Sequence, residues 1–165
     1  MNETVEIRKA TEQEIDVLLN IWIEKSKYLE EKKIKVWDIQ QFTQEKLKEK
    51  YGEPQYFIGL ANNRIFGAFI LIEKDDKYWS DRLSEKAFYF HKFVVTNEFA
   101  GMGYSKIILD WVKNYGKQMG KEYIRLDFNE SREYLKQLYY GNGFIKVRVY
   151  EENDKHKLVL AEIKI

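Results

Sequence analysis

The chain has 165 residues, enough to bury a continuous core without help from disulfides or metal. Lys and Arg number 28 against 27 Asp and Glu, a net charge of +1, so no overall field draws in nucleic acid or an anionic membrane and a small-molecule partner fits better. There is no cysteine, which excludes disulfide frameworks, thiolate metal sites and cysteine nucleophiles together.

The start Met1-Asn2-Glu3-Thr4 lacks the basic and apolar stretches of a secretory signal, and the longest uninterrupted apolar run, Ala68 to Ile72, is too short for a bilayer. The expectation is one cytoplasmic domain over residues 1–165, with no membrane or nucleic-acid partner.

Val5-Glu6-Ile7 alternates as a strand, and Thr11-Glu12-Gln13-Glu14 reads as a capping box opening a helix near Glu12. Ile15, Leu18, Leu19 and Trp22 follow at helical spacing. The run Glu30-Glu31-Lys32-Lys33 reads as a solvated helix end, Ile34 to Trp37 loses the period, and a short helix is expected from Thr43 to Lys50. Tyr56 to Ala61, an Asn62-Asn63 turn and Ile65 to Glu73 form a hairpin pattern, because Asn tolerates the positive φ that tight hairpin turns need.

After a polar loop come the strand Ala87 to Val95 and a glycine turn. A helix follows with Tyr104, Ile107, Ile108, Trp111, Tyr115 and Met119 on one face, closed by Gly120. Tyr123 to Phe128 is the next strand, Ser131 to Tyr140 a helix, and Phe144 to Tyr150 and Leu158 to Ile165 two closing strands. The order β-α-α-β-β-β-α-β-α-β-β describes an α/β (α+β) chain, a mixed sheet covered by helices.

In Val94-Val95-Thr96-Asn97-Glu98-Phe99-Ala100-Gly101-Met102-Gly103-Tyr104-Ser105 a strand ends, the backbone turns on two glycines, and a helix starts. Helix starts carry unpaired N–H groups and partial positive charge, so this turn can seat a pyrophosphate without a cationic side chain. Tyr104-Ser105 does not supply the Lys-Ser/Thr of a nucleoside-triphosphate loop, and Lys106 stands where a dinucleotide fingerprint needs its third glycine. An ordinary strand-to-helix turn is the other reading.

The stretch Ala100 to Ser105 resembles the coenzyme A loop of the GNAT superfamily of N-acetyltransferases, Gln/Arg-x-x-Gly-x-Gly/Ala, keeping Gly103 and departing at Ala100 and Ser105. Tyr139 followed by Gly143-Phe144 resembles the Tyr-x-x-x-Gly-Phe signature of the same family, in the expected order and on the expected helix. The resemblance implies a mostly antiparallel sheet of about seven strands with about four helices, acetyl-coenzyme A as acyl donor with no metal, and a primary amine of a small molecule or peptide as acceptor. It also implies that Ala100, Gly101, Met102, Gly103, Tyr104 and Ser105 hold the pyrophosphate, and that Phe93, Val94 and Val95 bind the pantetheine arm through their backbone. Tyr139 is implied as the acid that protonates the leaving thiolate. Asn129 and Arg132 are candidate cofactor contacts, or a helix cap and a solvated charge. Homodimers are common for such folds, although no residue marks an interface.

A protonated amine must lose a proton before it attacks a thioester, and His91 is a candidate base, sharing a face of an alternating strand with Tyr89 and Phe93. It also reads as a core histidine, in which case the acceptor arrives neutral or loses its proton through water. Trp37 and Trp79 lie in polar segments and are candidate walls of an acceptor pocket, or anchors of their loops on the sheet. A coenzyme A binding or regulatory module without catalysis is the alternative function.

Overall fold

The computed structural model describes residues 3–165; the first two positions of the Met1–Thr4 stretch lie outside the described residues. The elements are β1 (Val5–Lys9), α1 (Glu12–Glu31), α2 (Gln44–Tyr51), β2 (Gln55–Ala61), β3 (Arg64–Ile72), β4 (Ala87–Val95), α3 (Tyr104–Gln118), β5 (Tyr123–Asn129), α4 (Glu133–Gly141), β6 (Ile145–Asn153) and β7 (His156–Lys164). Their order is the expected one. The strands form one seven-stranded sheet in the order β1-β2-β3-β4-β5-β7-β6. The pairs β1·β2, β2·β3, β5·β7 and β6·β7 are antiparallel, and β4·β5 is parallel. No helix among the described residues is long and apolar enough to cross a membrane.

Contacts gather the chain into two compact units, one of residues up to Leu71 with Lys92–Ile108, the other of Ile72–His91 with Leu109–Ile165. In the first unit α1 starts at the expected capping box: Thr11 N donates to Glu14 Oε1 at 2.8 Å, and Glu14 N donates to Thr11 Oγ1 at 3.3 Å. Its buried face is Ile15, Leu18, Leu19, Trp22 and Ser26. Trp22 stacks on Phe42 at 5.8 Å and donates from its indole to the Lys92 carbonyl at 2.6 Å. Thr43 caps α2 through Lys46 N at 3.1 Å. Asn62 and Asn63 turn the β2–β3 hairpin at φ 49° and 64°.

The buried face of α3 differs in part from the expected one: Tyr104, Ile108, Leu109, Val112 and Gly116 are buried, whereas Ile107 and Met119 are exposed. In the second unit, Gly116 allows a close approach: a Cβ there would meet Ile165 Cδ1 at 2.7 Å and Ile124 Cδ1 at 2.9 Å. Helix α4 begins at Glu133, two residues later than expected, because Asn129 Oδ1 accepts from Ser131 N at 2.9 Å and Ser131 Oγ at 2.7 Å and holds those residues in a turn. β6 runs on to Asn153, whose side chain accepts from Lys155 N and His156 N and closes the β6–β7 hairpin.

Arg125 of β5 is wholly buried. Its Nε donates to Glu162 at 2.8 Å and its Nη2 to Glu85 at 2.8 Å, while its guanidinium lies 4.9 Å from the Trp79 ring and 4.6 Å from the Tyr123 ring. Paired on two carboxylates and flanked by rings, a buried charge is tolerated.

Candidate active site

The glycine turn belongs to the first unit. Gly101 and Gly103 sit at φ 75° and 86°, where only glycine is unstrained, and a Cβ built on either meets nothing within 4 Å. Glycine is therefore required there by backbone conformation and leaves open space in front of the chain. Phe99 N bonds Thr96 O at 3.0 Å and Ala100 N bonds Asn97 O at 3.3 Å, so a short turn delivers the chain to the start of α3. Met102 is 64% exposed, leaving the turn uncovered. Tyr104 turns its ring inward, 4.5 Å from Phe66 and 5.1 Å from Phe99, with its hydroxyl on Glu3; it offers a ligand its backbone alone.

Val94 is buried, whereas Phe93 and Val95 are partly exposed. Gly67 lies hard against this strand, since a Cβ there would meet Val94 O at 2.7 Å and Ile108 Cδ1 at 2.8 Å. Lys92 has φ 54°, rare for a residue with a side chain. This kink interrupts the alternation after His91, so the expected common face of Tyr89, His91 and Phe93 does not carry through to Phe93. Trp37 is half-buried, edge-on to Phe42 at 5.8 Å, with Lys92 Nζ 5.7 Å from its ring.

The second unit carries Tyr139 and His91. Tyr139 is buried, its ring 5.3 Å from Phe128 and 5.8 Å from Phe144. The turn after α4 fixes this contact: Phe144 N donates to Tyr139 O at 3.1 Å, and Gly143 has φ 93° with room for no Cβ beside Ile163. Burial, and secondarily the Asp127 carboxylate, push the Tyr139 hydroxyl pKa well above its ordinary value, and the Arg132 charge opposes them.

His91 stands between two carboxylates. Its Nε2 is 3.6 Å from Asp75 Oδ2 and its Nδ1 is 3.8 Å from Asp127 Oδ2; the three side chains are 10%, 7% and 17% exposed. The parallel register of β4 and β5 ends at Tyr89↔Arg125, and His91 and Asp127 each stand two residues further along their strands. Asp75 Oδ1 accepts from Lys77 N at 3.2 Å and Tyr78 N at 3.0 Å. Burial raises its pKa, but His91 and these two N–H groups outweigh burial and hold the carboxyl below its ordinary value. One oxygen from each aspartate and one nitrogen of His91 lie within 4.8 Å of one another. His91 and Tyr139 thus share Asp127 as a neighbour.

Asn129 spends its side-chain oxygen on the Ser131 turn, and Arg132 N-caps α4 without a side-chain bond. Trp79 is wholly buried, 6.1 Å from Tyr89 and close to the guanidiniums of Arg82, Arg125 and Arg148. That placement corrects the pocket-wall expectation, because a ring with no exposed surface meets no acceptor: Trp79 anchors its loop.

Residues 19–144 match the profile of the acetyltransferase (GNAT) family, and the chain belongs to that family. Among solved structures, it is similar to a GNAT-family acetyltransferase from Listeria monocytogenes, 21% identical with a TM-score of 0.76 over 99% of this chain and 100% of that one. It is also similar to the PaiA N-acetyltransferase from Thermoplasma acidophilum in complex with coenzyme A, 17% identical with a TM-score of 0.69 over 98% and 99% of the two chains. A GNAT-family acetyltransferase from Streptococcus pneumoniae is 14% identical with a TM-score of 0.72 over 98% and 99%. No curated protein matches the sequence.

Proposed function

We propose that the protein, with residues 1–165 working as one catalytic domain, transfers an acetyl group from acetyl-coenzyme A to a primary amine by direct attack. The observation that carries the reading is the pair of left-handed glycines, Gly101 and Gly103, with open space before them at the start of α3. The Thermoplasma relative, solved with coenzyme A, supports the choice of donor.

The Gly101–Ser105 backbone receives the pyrophosphate, and Phe93, Val94 and Val95 offer main-chain groups to the pantetheine arm. His91 takes one proton from the incoming ammonium and passes it to solvent. The freed nitrogen attacks the thioester carbonyl carbon, the C–S bond breaks, and its electron pair leaves on sulfur. Tyr139 stays protonated across the neutral range because its pKa is raised. A thiol titrates near ~8.5, so complete transfer from Tyr139 is uphill. The hydroxyl therefore hydrogen-bonds the sulfur as charge develops, and the amine's second proton restores what the sulfur finally takes.

Tyr139→Phe is expected to lower kcat by about 100-fold while leaving acetyl-coenzyme A affinity unchanged. Thiol release over a panel of primary amines reads the first, calorimetry the second. A variant as fast as the parent at every pH removes Tyr139 from the chemistry. Ala100, exposed where the family pattern has Gln or Arg, favours a second reading, coenzyme A binding without transfer. Efficient turnover of any amine in the panel rejects it.

A further inference from the structure

We propose that Trp22 and Lys25 of α1 are positioning residues for the acyl donor: they hold the backbone from Lys92 to Asn97 in the shape that receives acetyl-coenzyme A. The inference rests on the acetyl-transfer reading above and names what presets its donor site.

Lys92 precedes the pantetheine strand, residues 93–95, and Asn97 lies between that strand and the glycine turn. Lys92 holds φ 54°, a conformation that is costly for a residue with a side chain and persists only where its surroundings fix it. Trp22, wholly buried, supplies such a hold: its indole Nε1 donates to the Lys92 carbonyl at 2.6 Å. Phe42 stacks on Trp22 and lies 6.0 Å from Lys92 Nζ, so one aromatic pair meets Lys92 at its carbonyl and at its ammonium.

Three residues further along α1, on the same face, Lys25 Nζ donates to Asn97 Oδ1 at 2.8 Å. The Asn97 carbonyl accepts from Ala100 N at 3.3 Å, and the chain then enters Gly101. A groove of about 310 Å³ runs between Val17, Ile21 and Lys25 on α1 and Thr96 and Asn97. Across it the link to α1 is the Lys25 hydrogen bond rather than packed apolar surface. Thr96 N donates to Phe66 O at 2.9 Å and ties the same segment to β3.

A donor site built on main-chain groups has no side chain to adjust, so its affinity depends on a backbone that is already set. Trp22 acts through the Lys92 carbonyl, and its ring has no exposed surface to offer a ligand. Lys25 acts through Asn97, its ammonium engaged there and 5.6 Å from the Tyr28 ring.

The test is acetyl-coenzyme A calorimetry on the whole chain and its Trp22→Phe, Lys25→Met and Asn97→Ala variants and the Lys25→Met, Asn97→Ala double variant. Each is measured below its own unfolding transition, so a loss of stability alone does not move the Kd. Leu18→Val, at a wholly buried position of α1 one turn earlier, is the scaffold control. Trp22→Phe keeps a ring beside Phe42 and loses the N–H, and is expected to raise the Kd about tenfold. Trp22→Met, also without a donor, provides a second variant at that position. Lys25→Met and Asn97→Ala each raise the Kd about fivefold, and the double variant raises it no further, because both remove one contact. Leu18→Val lowers Tm and leaves the Kd within about twofold of the parent. A parental Kd in both Trp22 variants, or a Leu18→Val Kd raised as far as that of Trp22→Phe, overturns the inference. So do Lys25→Met and Asn97→Ala effects that multiply in the double variant, since Lys25 then acts on the ligand without Asn97. A parent that binds no acetyl-coenzyme A removes the acetyl-transfer reading as well, whereas a binding parent with indifferent variants removes the present inference alone.

Discussion

Replacing Gly103 by Ala separates what the turn does for the fold from what it does for a ligand. At φ 86°, with no atom within 4 Å of the point where a Cβ would stand, the methyl group meets no neighbour, so the cost to folding is the left-handed backbone alone. That cost is about 1–2 kcal/mol. For a chain of this length it lowers Tm by roughly 2–8 °C. Where the turn receives a pyrophosphate, the same methyl occupies the approach to the backbone N–H groups. Losing one hydrogen bond to a charged oxygen costs about 1.5–3 kcal/mol. Acetyl-coenzyme A affinity should therefore fall by roughly 10- to 150-fold. Thermal unfolding and calorimetry on one preparation read both numbers. A variant with the expected Tm and the parent's affinity refutes the assignment of the loop, and a much larger fall in Tm refutes the claim that nothing packs there.

Two further predictions concern the scaffold. Arg125→Met removes a wholly buried guanidinium from Glu162 and Glu85, but Glu162 keeps Arg82 at 3.1 Å. The loss therefore sits at the lower end of the range for a broken buried pair, about 3 kcal/mol, or roughly 6–12 °C in Tm; a shift under about 2 °C contradicts this account of the network. Glu14, forked to Arg8 at 2.7 and 2.9 Å and capping α1, titrates at about 2, below its ordinary 4.5, chiefly because of Arg8. A depressed carboxylate stabilises the fold above its unfolded pKa and loses that contribution as pH falls. The parent should therefore lose stability from about pH 4.5 toward 2, and Glu14→Gln should show a shallower acid decline in urea melts. Identical slopes would remove the assignment.

The element order was legible because the local signals agreed with the tertiary structure. Thr11 and Glu14 marked a helix start, Asn62-Asn63 a hairpin, and Gly120 a helix end at φ 77°. On α3 the expected face held at Tyr104 and Ile108 but not at Ile107 and Met119, and further along the helix the buried stripe runs through Leu109, Val112 and Gly116, which lies close to Ile124 and Ile165. Amphipathic periodicity marks a stripe; which edge of it packs depends on neighbours distant in sequence. The kink at Lys92 has no local mark at all, and its carbonyl is taken by Trp22, far away in the chain.

The site was legible where motifs are local and obscure where they are not. Gly101, Gly103, Tyr139 and Gly143 stand in contiguous patterns, and each has a structural reason to be what it is. The two aspartates beside His91 come from a loop and a neighbouring strand, so no spacing announces them. One trace was available: Arg125, Asp127 and Asn129 alternate as polar residues along β5, opposite Ile124, Leu126 and Phe128. A polar row on a largely buried strand marks a network, and here the row holds the Arg125 bridges and the neighbour of His91. Trp79 misled because sequence polarity around it came from Ser80, Asp81 and Arg82, while the ring itself turns into the core.

Calorimetric titration of the purified chain with acetyl-coenzyme A, with ATP and NADH as controls, tests the central claim most directly. Saturable binding of acetyl-coenzyme A alone is the predicted result. No binding, or equal binding of the nucleotides, would contradict it.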